Sequence, residues 1–237
     1  MTVQPIRPGS GAMFDAIAER YDLLNRLISL GLDQRWRAQL VEAIGPRPGH
    51  RVLDLATGTG DVALLLAERY PEVTVVGLDP SSNMLHLARN KAKQRIPNGK
   101  IELVQGEAEH LPFEDSTFDG CTMAFGIRNV ADRSEALREM ARVVRPGGRI
   151  AILELNEPRA GLLAPLARFH VHRVVPAIGA ALSGAQEYGY LQASIAAFPP
   201  PEEFSALMAS SGLDVLSVRL MTFGVVCLFV ASPSSTR

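Results

Sequence analysis

With 237 residues, 47% hydrophobic and 21% charged, the chain can bury a substantial core, and α/β folds of this size commonly form one domain. A formal net charge of −1, from 24 basic and 25 acidic residues, leaves no footprint for gripping a phosphate backbone, so nucleic acid is not an expected partner. Cys121 and Cys227 each lie in an apolar, strand-like stretch; they read as small buried hydrophobes in a reducing compartment, with no disulfide.

In chain order, residues 1–11 lack the apolar centre of a secretion signal, and no run reaches the roughly 18 to 20 apolar residues that cross a bilayer. A cytoplasmic protein is expected, with docking on the inner face of the cytoplasmic membrane left open. Residues 13–44 read as helical, because Phe14, Ile17, Tyr21, Leu24 and Ile28 recur at spacings of three and four. From Gly49, short apolar runs alternate with helical periodicity, the pattern of strands and crossover helices in a largely parallel sheet. Strands are predicted at Arg51–Leu55, Val73–Leu78, Ile101–Gln105, Phe118–Ala124 and Arg149–Leu155. Helices are predicted at Asp61–Arg69, Ser81–Lys93 and Asp132–Val144, the first two opening on Asp or Ser in the capping region. Pro146-Gly147-Gly148 is expected to stop the third helix and turn the chain into the next strand.

Residues 157–212 read mainly as helix again, with Leu162, Leu166, Phe169 and Val174 more loosely spaced. Val215–Leu220 and Val225–Ala231 then close the sheet as a hairpin, giving seven strands, and the polar tail from Ser232 should fray. The expected organisation is one domain over residues 1–237: a helical cover (13–44), a binding core (49–156), a helical substrate cover (157–212) and closing strands (213–231).

The run Asp54-Leu55-Ala56-Thr57-Gly58-Thr59-Gly60 carries a strand through a glycine-rich turn into a helix, where Gly58 and Gly60 let the backbone approach a ligand closely. Gly58-x-Gly60-x-x-Ala63 equally satisfies the dinucleotide fingerprint, and a tight turn without ligand is the plainer alternative. Asp79 closes the second strand about 20 residues on, where an acidic side chain accepts from ribose hydroxyls or caps the next helix. The loop Gln105-Gly106-Glu107-Ala108-Glu109-His110-Leu111-Pro112-Phe113, after strand three, is placed to bracket a purine.

These runs, with Gly77-Leu78-Asp79-Pro80-Ser81-Ser82-Asn83-Met84-Leu85 and Arg145-Pro146-Gly147-Gly148, together look like a class I methyltransferase. Three further segments are Tyr21-Asp22-Leu23-Leu24-Asn25-Arg26-Leu27-Ile28-Ser29-Leu30-Gly31 with Trp36, Phe125-Gly126-Ile127-Arg128-Asn129-Val130, and Arg142-Val143-Val144-Arg145-Pro146-Gly147-Gly148 running to Glu154. Over nearly the whole chain they closely resemble the ubiquinone/menaquinone biosynthesis C-methyltransferase family. The resemblance implies a Rossmann-like three-layer α/β sandwich around a seven-stranded, mostly parallel sheet with an antiparallel last strand. It implies S-adenosylmethionine as cofactor, contacted at Thr59, Asp79, Glu107 and Ala108, with Asp54, Gly58 and Gly60 of the turn completing the set. It also implies a polyprenyl quinol acceptor, demethylmenaquinol by preference, with a methoxy-polyprenyl-benzoquinol or another lipophilic acceptor as alternatives. The sequence departs from the family's usual pattern at Asp33 (commonly histidine), Ala124 and Asn156 (both often serine).

Methyl transfer from a sulfonium is an in-line displacement, so alignment of the acceptor carbon is the main task and no metal is required. A quinol carbon gains electron density when the neighbouring hydroxyl ionises, which calls for a base or a cation beside it. Arg128 and Asn129 follow the fourth strand at its carboxyl end, and Arg128 is the first choice to hold the phenolate oxygen, against pairing with a carboxylate such as Asp132. Tyr21 and Asp22 reach over the same pocket from the first cover, unless Tyr21 is a core aromatic. His170 and His172 are secondary candidates, and Tyr188 and Tyr190 either wall the quinol pocket or pack in the core. The apolar faces of the covers, with Arg20, Arg26, Arg35, Arg37, Arg168 and Arg173, suit peripheral membrane contact, and a homodimer suits the fold. A nicotinamide-dependent oxidoreductase and a non-catalytic cofactor-binding partner in a quinone-synthesis assembly stay open as rival readings.

Overall fold

The computed structural model describes residues 11–97, 99–157 and 185–234. The elements run α1 (Gly11–Ile28), α2 (Leu32–Ile44), β1 (Arg51–Leu55), α3 (Asp61–Arg69), β2 (Thr74–Asp79), α4 (Ser82–Arg95), β3 (Ile101–Gln105), β4 (Phe118–Ala124), α5 (Arg133–Val143), β5 (Val144–Leu155), α6 (Ala185–Ala196), α7 (Pro201–Ser210), β6 (Leu213–Met221) and β7 (Val226–Pro233). Among the described residues seven strands form one sheet in the order β3-β2-β1-β4-β5-β7-β6. The pairs β1–β2, β2–β3, β1–β4 and β4–β5 are parallel, while β7 runs antiparallel to both β5 and β6. The order reverses at β1, and the crevice outside the carboxyl ends of β1 and β4 is where ligands bind in open sheets of this kind.

The crossover helices follow from their ends. Ser81 caps α4 by accepting from Met84 N–H at 3.1 Å, and Asp132 caps α5 by accepting from Glu135 N–H at 3.0 Å. The cap of α3 is Gly60 in the left-handed region (φ +87°), with Asp61 the first helical residue, so a glycine and not the expected aspartate stands at the cap. Alternation along the strands sends Leu53, Cys121, Ile152 and Phe229 to the α5/α7 face and Val52, Ala151, Leu153 and Leu228 to the α2/α3 face. Both faces of the central strands are therefore covered, which explains their continuous apolar runs. Cys121 and Cys227 are buried and unbridged.

Several boundaries differ from the sequence expectation. β7 runs on to Pro233, so Ser232 and Pro233 do not fray but pair with Asp214 and Leu213 of β6. β2 is displaced by one residue, to Thr74–Asp79, so that Asp79 itself pairs with Gln105. α5 stops at Val143 and β5 already begins at Val144, because Phe118 pairs with Val144 and Gly120 with Arg149. Pro146-Gly147-Gly148 thus forms a bulge inside the ladder instead of a turn before it, with Gly147 at φ +78°. No helix among the described residues is long and apolar enough to cross a membrane. The periodic positions Leu162, Leu166, Phe169 and Val174, the histidines His170 and His172, and Arg168 and Arg173 lie outside the described residues, as do the side chains of Ile17, Arg20, Leu24 and Tyr188.

Candidate active site

A cleft of about 880 Å³, its open mouth included, lies at the carboxyl ends of β1, β2 and β4. One wall comes from the glycine turn and the end of β2 (Gly58, Leu78, Asp79, Pro80), with Met84 of α4 and Glu107, Ala108 and Glu109 of the loop after β3. The opposite wall is the segment after β4, from Phe125 and Gly126 to Asn129, Val130 and Ala131, and α1 contributes Phe14 and Tyr21.

Asp79 organises the first wall. Its carboxylate accepts from Gly58 N–H at 2.8 Å and from Ser81 N–H at 2.9 Å, tying the glycine turn to the end of β2. Burial pushes its carboxyl up to about 6, and the charges of Asp15 and Glu107 push the same way against those two hydrogen bonds. Gly58 sits at φ +56° with nothing within 4 Å of where a Cβ would stand, so the turn presents bare backbone to the cleft. A glycine turn, a buried carboxylate and the apolar side chains of Leu78, Pro80, Met84 and Ala108 could hold a nucleoside, with Asp79 as an acceptor for hydroxyl donors and the apolar surface as a seat for a base.

Asp54, Thr59 and Gly60, expected to touch the cofactor, do not line the cleft. Asp54 lies beneath the turn, 1% exposed, accepting from Thr57 and Thr122 hydroxyls at 2.7 Å each, and burial pushes it up to about 6. Thr59 donates to Asp22 at 2.6 Å and accepts from Lys91 Nζ at 2.8 Å, so its hydroxyl is used in holding α1. Gly60 permits helix contact, since a Cβ there would come 3.1 Å from Ala88 Cβ.

α1 closes the cleft through two polar attachments. Asp15 accepts from Ser81 Oγ at 2.5 Å and from Asn83 N–H at 3.0 Å. Lys91 of α4 pairs with Asp22 at 2.5 Å and with Asp61 at 2.9 Å. Burial raises the Asp61 carboxyl, but the Arg37 and Lys91 charges outweigh it and hold it below its ordinary range. Tyr21 lies edge-on to Phe14, ring centroids 6.1 Å apart, and both border the cleft, so Tyr21 is a wall residue. The loop after β3 is fixed from α5: Arg142 donates to the Leu111 and Phe113 carbonyls at 3.1 and 2.7 Å, and Glu139 accepts from Leu111 N–H at 2.7 Å.

Arg128 differs most from its expected place. Its side chain is 8% exposed and its Nη1 pairs with Glu154 Oε1 at 2.7 Å, not with Asp132. The same Nη1 donates to the Phe125 carbonyl at 2.7 Å, so the guanidinium lies behind the wall and is spent on the wall's own backbone. Asn129 does border the cleft, and its Oδ1 accepts from Tyr190 of α6 at 2.9 Å. Glu154, Lys91 and Asp15 carry this arrangement without having been singled out from the sequence. Glu154 was detectable as a carboxylate inside the apolar run Ala151-Ile152-Leu153, which needs a buried partner.

The chain matches the ubiE/COQ5 methyltransferase family over residues 7–232. It belongs to that family. A ubiquinone/menaquinone biosynthesis C-methyltransferase UbiE of Geobacter sulfurreducens is 48% identical over 92% of this chain and 85% of the relative. Demethylmenaquinone methyltransferases of Thermus thermophilus and Deinococcus radiodurans are each 46% identical over 92% of this chain, covering 98% and 90% of the relatives. Among solved structures, a SAM-dependent methyltransferase of Aquifex aeolicus superposes with a TM-score of 0.63 at 17% identity, covering 94% of this chain and 97% of that one. The [4+2]-cyclase SpnF superposes with a TM-score of 0.64 at 17% identity, covering 98% of both chains, so likeness at that level carries the fold alone. Membership in the ubiE/COQ5 methyltransferase family removes the nicotinamide reading of the glycine turn and the reading of a non-catalytic partner.

Proposed function

We propose that the chain transfers a methyl group from S-adenosylmethionine to a ring carbon of a polyprenyl quinol, with demethylmenaquinol as the acceptor. The observation that carries this is the two-walled cleft: a wall with the bare backbone of Gly58 and the carboxylate of Asp79 faces a wall bearing Asn129, beside a helix bearing Phe14 and Tyr21. The name demethylmenaquinone methyltransferase borne by the Thermus and Deinococcus relatives supports the naphthoquinol ring. A benzoquinol is the second reading, because the Geobacter relative's name includes ubiquinone as well as menaquinone.

In this reading Asp79 accepts from the ribose hydroxyls, Gly58 lets the backbone approach the nucleoside, and Glu107 and Ala108 border the purine. S-adenosylmethionine, when bound, supplies an activated methyl group on a cationic sulfur. The chain's own task is then alignment and exclusion of water, worth several orders of magnitude in rate when the acceptor carbon is held in line. Asn129, its carbonyl occupied by Tyr190, offers amide hydrogens to the quinol oxygen, and Tyr21 lies against the ring. Arg128 keeps a part in this reading through the wall it braces.

In the domain reading, α1 is the described cover over one binding core, while α2 packs with β1 and β5 on a face of the sheet. The acceptor's tail resides in a bilayer, and Leu23, Leu27 and Leu30 stand exposed on one stripe of α1 and just beyond it, 57%, 38% and 71% accessible. They suit an amphipathic surface that dips into lipid headgroups. Self-association as a homodimer would use a different face, the exposed Leu216, Val218 and Leu220 of edge strand β6. The test of the function is incubation of purified protein with methyl-labelled S-adenosylmethionine and each quinol class, followed by mass spectrometry of the quinol.

A further inference from the structure

The acceptor wall is a short segment, Phe125 to Val130, and its backbone is unusually constrained. Phe125 lies in the left-handed region (φ +58°), where a bulky side chain is strained. Its N–H donates to the Leu153 carbonyl at 2.7 Å, and its ring is flanked by Trp36 at 6.2 Å and by the Arg37 guanidinium at 5.3 Å. Gly126 follows without room for a side chain, since a Cβ would come 2.6 Å from Ala56 Cβ.

Glu154 holds this segment from the neighbouring strand. Its carboxylate is fully buried and accepts from Arg128 N–H at 3.2 Å and from Arg128 Nη1 and Leu155 N–H at 2.7 Å each. Arg128 passes the constraint on to the Phe125 carbonyl, and Arg133 grips the Ile127 and Arg128 carbonyls at 3.3 and 3.1 Å. Stability alone does not account for the pair. A buried ion pair is often no more stabilising than apolar residues of its volume, and Arg128 Nε is buried here without a hydrogen-bond partner. Apart from the bond from Leu155 N–H, these bonds share one target, the turn that ends at Asn129.

We infer that Glu154 is a positioning residue for methyl transfer: acting through Arg128, it holds the turn that aims Asn129, and with it Tyr190, at the acceptor. This rests on the acceptor-side reading of Asn129 given above. Glu154→Gln keeps the shape of the side chain but removes its charge, loosening the turn while leaving Asp79 and Gly58 in place. A misplacement of about 1 Å at the acceptor lowers kcat and kcat/KM together by on the order of 100-fold. The S-adenosylmethionine dissociation constant stays that of the wild type, and Glu154→Asp, which keeps the charge, recovers part of the rate.

The test is a double-mutant cycle on the full chain between Glu154→Gln and Asn129→Ala, scored by quinol methylation and by calorimetry of S-adenosylmethionine binding. Because Glu154 acts through Asn129, the double variant should lose no more than the worse single variant. Additive losses, wild-type kcat in folded Glu154→Gln, or loss of cofactor affinity in step with rate each overturn the inference. Where Glu154→Gln does not fold, Arg133→Gln loosens the same turn from α5 and the same cycle decides. Wild-type protein that methylates no quinol contradicts the proposed function instead, so the two failures are distinct.

Discussion

Asp79 holds two backbone N–H groups while shielded from water, and burial raises its carboxyl from 3.8 to about 6. Between about pH 4 and pH 6 the folded chain therefore binds more protons than the unfolded one, so this group's contribution to stability falls as pH rises through that window. Asp54 adds the same sign over the same window. Ribose hydroxyls donating to Asp79 favour its ionised form, so S-adenosylmethionine affinity should fall as pH drops through about 6, and binding at pH 6 should release protons. Calorimetry in two buffers of different ionisation enthalpy measures this; proton uptake would contradict it. Asp79→Ala should weaken cofactor binding by about 1 to 3 kcal/mol. Arg128→Ala leaves Glu154 buried without its cation, which costs about 3 to 5 kcal/mol and lowers Tm by on the order of 10 °C. A melting temperature equal to the wild type's would show that the pair does not bear on the fold.

At the scale of elements, α1 is held to α4 and the glycine turn by charge and hydrogen bonds, and it carries Phe14 and Tyr21 over the cleft. Lys91→Met removes the cation shared by Asp22 and Asp61, so amide exchange in Gly11–Ile28 should speed up and S-adenosylmethionine should dissociate faster. Raised salt should act in the same direction on the wild type, because both ion pairs are partly solvated. Hydrogen exchange unchanged by the substitution would mean that packing alone holds the helix. The elements were largely legible: Ser81 and Asp132 announce α4 and α5, and the apolar runs announce β1, β3 and β4 at their observed bounds. The start of β5 was hidden because Pro146-Gly147-Gly148 has the composition of a turn, while the pairing of Val144 with Phe118 depends on a strand distant in sequence. The partner of Arg128 was hidden for the same reason: Glu154 lies 26 residues away, and the parallel pairing of β4 with β5 brings the two together. Asp79 and Gly58, by contrast, meet within one β-α-β unit, so their approach follows from local connectivity.

For the whole molecule, the sheet order fixes where the cleft opens, and α1 carries Phe14 and Tyr21 to its border. If the exposed stripe on α1 meets lipid, replacing Leu23, Leu27 and Leu30 together by serine should reduce pelleting with anionic vesicles while leaving methylation of a detergent-dispersed quinol intact. Equal pelleting of the variant and the wild type would remove α1 from membrane contact. Cofactor binding should also stabilise the fold by mass action, by about 2.7 kcal/mol at 100 times the dissociation constant. The central claim is tested most directly by mass spectrometry of demethylmenaquinol and of methoxy-polyprenyl-benzoquinol, each incubated with methyl-labelled S-adenosylmethionine and the purified chain. Label on a ring carbon of the naphthoquinol is the predicted result; binding of the nucleoside with no label entering either quinol would contradict it.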